Sequence, residues 1–268
     1  MAIDPADVLL NGRLAVVTGA GSGIGRGVAA GLAAFGASVA IWERDPQTCA
    51  QAAPELGGLG IATDVRSVDQ VDAALQRTQA ELGEVTILVN NVGGVFWSPL
   101  LQTSEKGWDA LYRSNLGHVL LCTQRVARRL VAAGLPGSIM AITSIEGVRA
   151  APGYAAYAAA KAGVVNYTKT TALELAHHGI RVNAIAPDIT MTEGLAQMGG
   201  AAALERIGSL VPLGRPGDVD EIASVAVFLA SDMARYVTVQ TIHVDGGTHA
   251  AAGWYRDPQT GEYRLGPG

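Results

Sequence analysis

The sequence predicts an α/β fold built as a single doubly wound parallel sheet with helices on both faces. Three observations carry this expectation. Short apolar runs alternate with segments of ten or more helix-forming residues through most of the chain, as in repeated βαβ units. The runs, such as "ILV" and "SIMAI", are apolar throughout rather than at every second position, as strands covered on both faces must be. A glycine-rich turn, "TGAGSGIG" at 18–25, joins the first run to the first helix.

The elements follow in order. "RLAVVTG" (13–19) is the first strand, "GIGRGVAAGLAAFG" (23–36) a helix closing on Gly36 as its C-cap, and "ASVAIWE" (37–43) the second strand. Helix is expected at 46–56, strand at 59–63, helix at 67–82 and strand at 85–90. A long helix follows near 104–133, then a strand at 137–143, a helix at 154–178 and a strand at 180–185. A helix near 217–231 and a last strand near 239–244 complete the alternation. Segment 188–216 breaks the rhythm. Within it, residues 189–210 mix apolar residues with the paired Gly199 and Gly200, which suits a hinged substrate lid. No linker divides the chain before residue 245 and no internal repeat is present, so residues 1–252 are expected as one domain and 253–268 as a tail. In that tail, D-P-Q-T-G (257–261) reads as a turn that would set Tyr255 beside Tyr263 in a small hairpin, while its prolines, glycines and charges equally suit a disordered terminus.

Composition narrows the function. Of 268 residues, 49% are hydrophobic, which suits close-packed helices and strands and not disorder. The net charge of -5 comes from mixed signs with no basic run, so no nucleic-acid partner is expected. Apolar segments break before 18 residues, so no membrane span is expected. The start, "MAIDPADVLL", lacks the basic region of a signal peptide, and a cytoplasmic location is expected. Cys49 and Cys122 match no metal spacing and read as reduced thiols. The five histidines form no constellation; His177 and His178 sit at a helix end, and His118, His243 and His249 read as scattered structural residues. No metal site is expected.

The glycine turn carries the first chemistry. Gly19, Gly23 and Gly25 fall as G-x-x-x-G-x-G, with Ser22 and Ile24 between them. Glycine permits a tight turn and lets backbone approach a pyrophosphate, while the helix N-terminus offers N–H donors. Glu43, 18 residues beyond Gly25, ends the second strand where an acid would meet an adenosine ribose and repel a 2′-phosphate. Arg44 beside it could instead receive that phosphate. Asp64, followed by Val65, could bond the adenine or cap a helix. Together these read as a dinucleotide site on a Rossmann-like sheet, with NAD as the cofactor.

"GYAAYAAAK" (153–161) carries the second. Tyr157 and Lys161 are four apart and share one helical face, whereas Tyr154 lies about 10 Å from Lys161 along the axis. An ammonium lowers the pKa of a nearby phenol, so Tyr157 is the candidate acid–base group. Ser144 ends the strand "SIMAITS", at the sheet edge where ligands bind.

With these pieces in order, the chain resembles the short-chain dehydrogenase/reductase family over roughly residues 12–247. The matching motifs are "TGAGSGIG", "NNVG" at 90–93, Asn115 in "RSNLG", Ser144, "YAAAK" at 157–161, "RVNAIAP" at 181–187 and "VDGG" at 244–247. The resemblance implies a tetrad of Asn115, Ser144, Tyr157 and Lys161. Tyr157 would exchange a proton with the substrate oxygen, and Ser144 would place that oxygen. Lys161 would lower the Tyr157 pKa and hold the nicotinamide ribose, and Asn115 would hold a water linking Lys161 to solvent. It further implies cofactor contacts at Asn91, Gly93, Pro187, Ile189 and Thr192, with Asn91 also readable as a plain turn residue. A homotetramer is implied too. Two departures stand out: Asp188 follows Pro187 where the family usually has glycine, and Val239 replaces a common glycine, a change expected to matter only to packing.

The reading is an NAD(H)-dependent oxidoreductase acting on a hydrophobic secondary alcohol or ketone of steroid, terpenoid or aromatic type. Val95, Phe96, Trp97, Ile145, Tyr154, Leu195 and Met198 are the candidate pocket walls. The alternatives are an NADPH-dependent 3-oxoacyl-thioester ketoreductase and a non-catalytic nucleotide sensor on the same fold.

Overall fold

A computed structural model describes residues 3–193, 210–251, 253–257 and 260–265. Its frame is a seven-stranded parallel sheet. The strands are β1 (Leu14–Thr18), β2 (Ser38–Glu43), β3 (Leu59–Ala62), β4 (Ile87–Asn90), β5 (Gly137–Ile142), β6 (Ile180–Pro187) and β9 (Thr241–Val244). They lie in the order β3-β2-β1-β4-β5-β6-β9. The order reverses between β1 and β4, which opens a crevice at the carboxyl ends of these two strands. Every residue of β1 and β4 is buried, as the unbroken apolar runs require.

Helices cover both faces. On one side α1 (Gly23–Ala34) packs on α7 (Val219–Ala230) around a cluster that includes Val28, Leu32, Ile222 and Ala226. On the other lie α3 (Val68–Leu82), α5 (His118–Ala133) and α6 (Ala155–Leu175), over Trp42, Leu88, Val126 and Ile139. Helix α2 (Pro46–Glu55) flanks β3, and Asp45 caps its first turn by accepting from the Thr48 N–H at 2.7 Å.

The expected helix over 104–133 is interrupted. Helix α4 (Glu105–Tyr112) runs into a π-helical turn over Arg113–Gly117 before α5 begins. The cause is local. The Asn115 amide donates to the Leu111 carbonyl at 3.0 Å, and the Ser114 hydroxyl donates to the Ala110 carbonyl at 2.8 Å. Side chains thus take carbonyls that the helical ladder would otherwise use.

A short parallel pair, β7 (Thr190–Met191) with β8 (Gly217–Asp218), brackets the segment expected as a lid. Most of that segment, 194–209, lies outside the described residues. After the short helix α8 (Thr248–Ala251), the tail forms the hairpin β10 (Trp254–Arg256) and β11 (Tyr263–Leu265). Its register sets Tyr263 opposite Arg256 and Tyr255 opposite Arg264. The backbone thus pairs each tyrosine with an arginine rather than with the other tyrosine, because the connection closes between Asp257 and Glu262. Among the described residues, no helix is long and apolar enough to cross a membrane.

Candidate active site

The glycine turn is built by close approach. Gly19 and Gly23 take positive φ angles of 64° and 55°, a region that costs side-chain-bearing residues energy. A Cβ on Gly25 would sit 2.3 Å from the Gly19 carbonyl oxygen and 2.4 Å from the Asn91 amide nitrogen. Only glycine lets α1 begin this near the loop. Asn91 locks the arrangement: its amide donates to the carbonyls of Thr18 (3.0 Å) and Gly19 (3.1 Å), and the Thr18 hydroxyl accepts from the Asn91 N–H at 3.0 Å. Asn91 is thus neither a plain turn residue nor solely a cofactor contact; its side chain holds the loop. The N–H groups of this turn already meet anions, Gly23 donating to Glu193 Oε2 at 3.2 Å, and a glycine turn at a helix N-terminus fits a dinucleotide pyrophosphate.

The loop is one wall of a cavity of about 740 Å³. Gly19, Ser22, Ile24 and Gly25 line one side; Asn115, Ser144, Tyr157 and Lys161 converge on the other, with Asn91, Gly93, Pro187 and Thr192 between. Two expected contacts fall outside it. Gly23 faces a neighbouring groove with Arg26 and Thr192, and Ile189 turns its carbonyl to the Gly217 N–H at 3.0 Å, tying β7 to β8.

At the reacting end, alanines bring α6 close to the sheet. Ala156, Ala160, Val164 and Ala172 are buried along it, and Lys161 is carried inside with them, 3% exposed. The Thr143 hydroxyl donates to the Lys161 carbonyl at 2.9 Å, fixing the end of β5 against the helix. The Lys161 ammonium donates to the Ile142 carbonyl at 2.9 Å and lies 5.7 Å from the centre of the Tyr157 ring. Burial pulls its pKa down to about 8. The Tyr157 hydroxyl is pushed up by burial; hydrogen bonding with Ser144 opposes this, and the Glu146 charge adds to it. The expected lowering of Tyr157 by Lys161 is not what this structure gives: burial raises the phenol, the opposing hydrogen bond comes from Ser144, and the ammonium donates to Ile142.

Asn115 is fully buried in the π turn. Its amide donates to the Gly94 carbonyl at 2.8 Å, and its Oδ1 accepts from the Gly94 N–H at 3.3 Å. It thereby clamps the Gly93–Gly94 segment over Lys161. A Cβ on Gly93 would meet Asn115 Oδ1 at 3.1 Å and Lys161 Nζ at 3.4 Å.

The far end of the cavity is charged. Glu43 Oε2 accepts from the Gly21 N–H at 3.2 Å and Oε1 from the Asp45 N–H at 3.1 Å, so the carboxylate is pinned beside the loop. Arg44, Asp64, Val65 and Arg66 complete the wall. Arg66, which the sequence reading missed, grips Asp64 through Nη2 at 2.6 Å and Nε at 2.8 Å, and holds its carboxyl below the usual range. Asp64 is not the cap of α3; Ser67 is.

Comparison with known proteins agrees with this geometry. A family model described as enoyl-(acyl carrier protein) reductase matches residues 19–249. The chain is 39% identical over 248 residues to the 3-oxoacyl-[acyl-carrier-protein] reductase FabG of Chlamydia muridarum, covering 89% of this chain and 98% of that one. The Escherichia coli K12 reductase of the same name is also 39% identical, over 244 residues, with the same coverage. The chain belongs to the short-chain dehydrogenase/reductase family. Among solved structures, a gluconate 5-dehydrogenase from Burkholderia cenocepacia in complex with NADP and tartrate superposes with a TM-score of 0.87 at 37% identity, over 92% of this chain and 100% of that one. A 7α-hydroxysteroid dehydrogenase complexed with NADH and 7-oxo glycochenodeoxycholic acid gives 0.86 at 30% identity, over 92% and 98%.

Within this family the chain has its own features. Asp188, in place of the usual glycine, is half-buried and lines the cavity. Val239 has a φ of 69°. A β-branched residue is strained there, so this departure bears on the backbone and not only on packing. His118 is buried and neither ring nitrogen has a hydrogen-bond partner; burial and the Lys161 charge hold its pKa to about 3. His243 and His249 are not scattered either: their rings stack at 3.9 Å, and His249 Nδ1 lies 2.7 Å from Asp245 Oδ2. Of the candidate pocket walls, Val95 lines the cavity, Phe96 and Trp97 are exposed beyond it, and Ile145 is wholly buried and cannot form a wall. Leu195 and Met198 lie outside the described residues.

Proposed function

We propose that this oxidoreductase interconverts a ketone and a secondary alcohol with NAD(H), and that a 3-oxoacyl thioester is its substrate class. The observation that carries the reaction is the convergence of Ser144, Tyr157 and Lys161 at one end of a cavity whose other end is the glycine cradle. A bound nicotinamide dinucleotide supplies or accepts the hydride. The protein's part is proton transfer and positioning. The substrate oxygen would lie between the Ser144 and Tyr157 hydroxyls. In reduction, hydride adds to the carbonyl carbon, the oxygen takes the Tyr157 proton, and Ser144 hydrogen-bonds the developing charge. Burial favours the protonated phenol, which suits Tyr157 as an acid toward a carbonyl. The buried Lys161 ammonium sits one turn away, beside Asn115 and the Gly93 segment, and would offset the phenolate left behind.

The thioester reading draws on the reductases named above, which this chain matches along nearly their whole length. It stands ahead of the hydrophobic alcohol expected from the sequence. That second reading keeps support from the exposed apolar run of Val95, Phe96 and Trp97, which begins at the cavity wall, and from the similar hydroxysteroid dehydrogenase. For the cofactor, Glu43 pinned at the ribose end favours NAD, because a 2′-phosphate would face a fixed carboxylate. Arg44 and Arg66 on the same wall, and the NADP-bound gluconate 5-dehydrogenase, favour NADP as the second reading. A homotetramer in the cytoplasm belongs to the same proposal.

The test is a spectrophotometric assay of 3-oxoacyl thioesters, steroid ketones and aromatic ketones, each with NADH and NADPH. Higher kcat/KM for a thioester with NADH is expected. Glu43→Ser should move the NADH:NADPH preference toward NADPH by about tenfold, the effect of removing one partly screened charge repulsion. An unmodified protein that prefers NADPH would overturn the NAD assignment and leave the reaction class standing.

A further inference from the structure

Asp188 is the residue at the reacting end that the reaction above leaves without a task. It follows β6 directly and lines the same cavity as Ser144, Tyr157, Lys161 and Thr192. Its side chain is 9% exposed, and its Oδ2 is buried without a hydrogen-bond partner. Arg149 Nη2 is 3.8 Å from Asp188 Oδ1 but 2.8 Å from Glu146 Oε1, so the guanidinium is committed first to Glu146. The Glu146 Oε2 is itself buried and unpartnered. On the side of β9 and α8, Thr248 and the charge of Asp245 complete the surroundings, with Thr248 reaching Asp188 and Asp245 acting on Arg149. Two carboxylates thus share one arginine, and the surplus negative charge falls to the one that faces the cavity. Burial pushes the Asp188 carboxyl up, while Thr248 and Arg149 pull it back.

Hydride passes between the cofactor ring and a carbon whose oxygen is held by Ser144 and Tyr157. The ring must therefore occupy this end of the cavity, and the cavity wall here includes Asp188. A nicotinamide ring is cationic when oxidised and neutral when reduced. We propose that Asp188 is a cofactor-state selector: its carboxylate, carried on the cavity wall at the end of β6, favours the oxidised cationic ring over the reduced neutral one. The same charge stabilises the ring as hydride leaves it, which assists reduction of a ketone. This inference rests on the cofactor reading given above.

Equilibrium binding separates the two claims. Dissociation constants for the oxidised and reduced forms of NAD, or of NADP if that binds tighter, are measured by calorimetry on the full chain and on Asp188→Asn and Asp188→Gly. Asp188→Asn keeps the shape and one acceptor oxygen and removes the charge. Its affinity for the oxidised form should fall by roughly tenfold relative to the reduced form, as expected for loss of one partly screened charge pair. Asp188→Gly should show the same change in ratio. Damage to the fold would weaken both forms together and leave the ratio unmoved, so a ratio equal to the unmodified protein's in both variants overturns the proposal. If neither form binds the unmodified protein, the cofactor reading fails and this one falls with it.

Discussion

The two ends of the cavity are built in different ways. At the reacting end, Lys161 and Asn115 are buried, and their positions follow from backbone contacts: Lys161 on the Ile142 carbonyl, Asn115 on Gly94 and Leu111, and Thr143 on the Lys161 carbonyl. At the far end, Glu43, Arg44, Asp64 and Arg66 stand at or just beyond the ends of β2 and β3, Glu43 holding nearby N–H groups and Arg66 holding Asp64, at the surface. The comparison teaches where this protein can change. Chemistry is fixed by interlocked backbone that tolerates little substitution. On the proposed reading, cofactor choice would rest on solvent-screened charges whose exchange shifts a preference without disturbing the fold.

The sharpest way to break this comparison is at the reacting end. Tyr157→Phe keeps the ring and removes the transferable proton. Turnover should fall on the order of 10³-fold while cofactor affinity, read by fluorescence titration, stays near that of the unmodified protein. Retained turnover would remove Tyr157 from its role. Gly25→Ala comes next, because its Cβ would strike the Gly19 carbonyl and the Asn91 amide. Overpacking backbone against backbone should cost about 1–3 kcal/mol in urea unfolding and weaken the cofactor as the cradle shifts. An unchanged midpoint would mean the cradle is softer than its contacts indicate.

Lys161 offers a test by pH. Its folded-state pKa of about 8 lies below the unfolded value of 10.5. Between those two values the unfolded chain holds more protons, so this group makes the folded state gain stability as pH rises. Lys161→Met has no such gain. The stability difference between variant and unmodified protein should move in favour of the unmodified protein from pH 8 to pH 10.5, and a flat difference across that window would mean the ammonium is well solvated. The smallest effect is expected far from the cavity. Val239→Gly relieves a strained φ and should raise stability by about 1 kcal/mol, less the added freedom of the unfolded glycine. A lower melting temperature would show that side-chain packing outweighs the strain.

Much of this was legible in one dimension. The seven strands of the sheet fall where the apolar runs stand, because strands covered on both faces leave no room for polar alternation. Tyr157 and Lys161 share a face because helical periodicity dictates it. Glycine at 19, 23 and 25 announced the cradle because Gly19 and Gly23 take positive φ angles and a Cβ on Gly19 or Gly25 would clash. Tertiary structure alone decided the rest, since it depends on which distant groups meet. Lys161 turns to a carbonyl on β5 that lies 19 residues away, and burial of the Tyr157 hydroxyl raises its pKa. Asn91 reads as a turn residue until Thr18 and Gly19 are brought beneath it. Asp188 is one acid among 24 in the sequence. Only the side-by-side placement of β5, β6 and β9 surrounds it with Arg149, Glu146 and Thr248. Composition and spacing fix which residues can form an element, whereas burial and charge at a point are sums over neighbours that the chain order does not reveal.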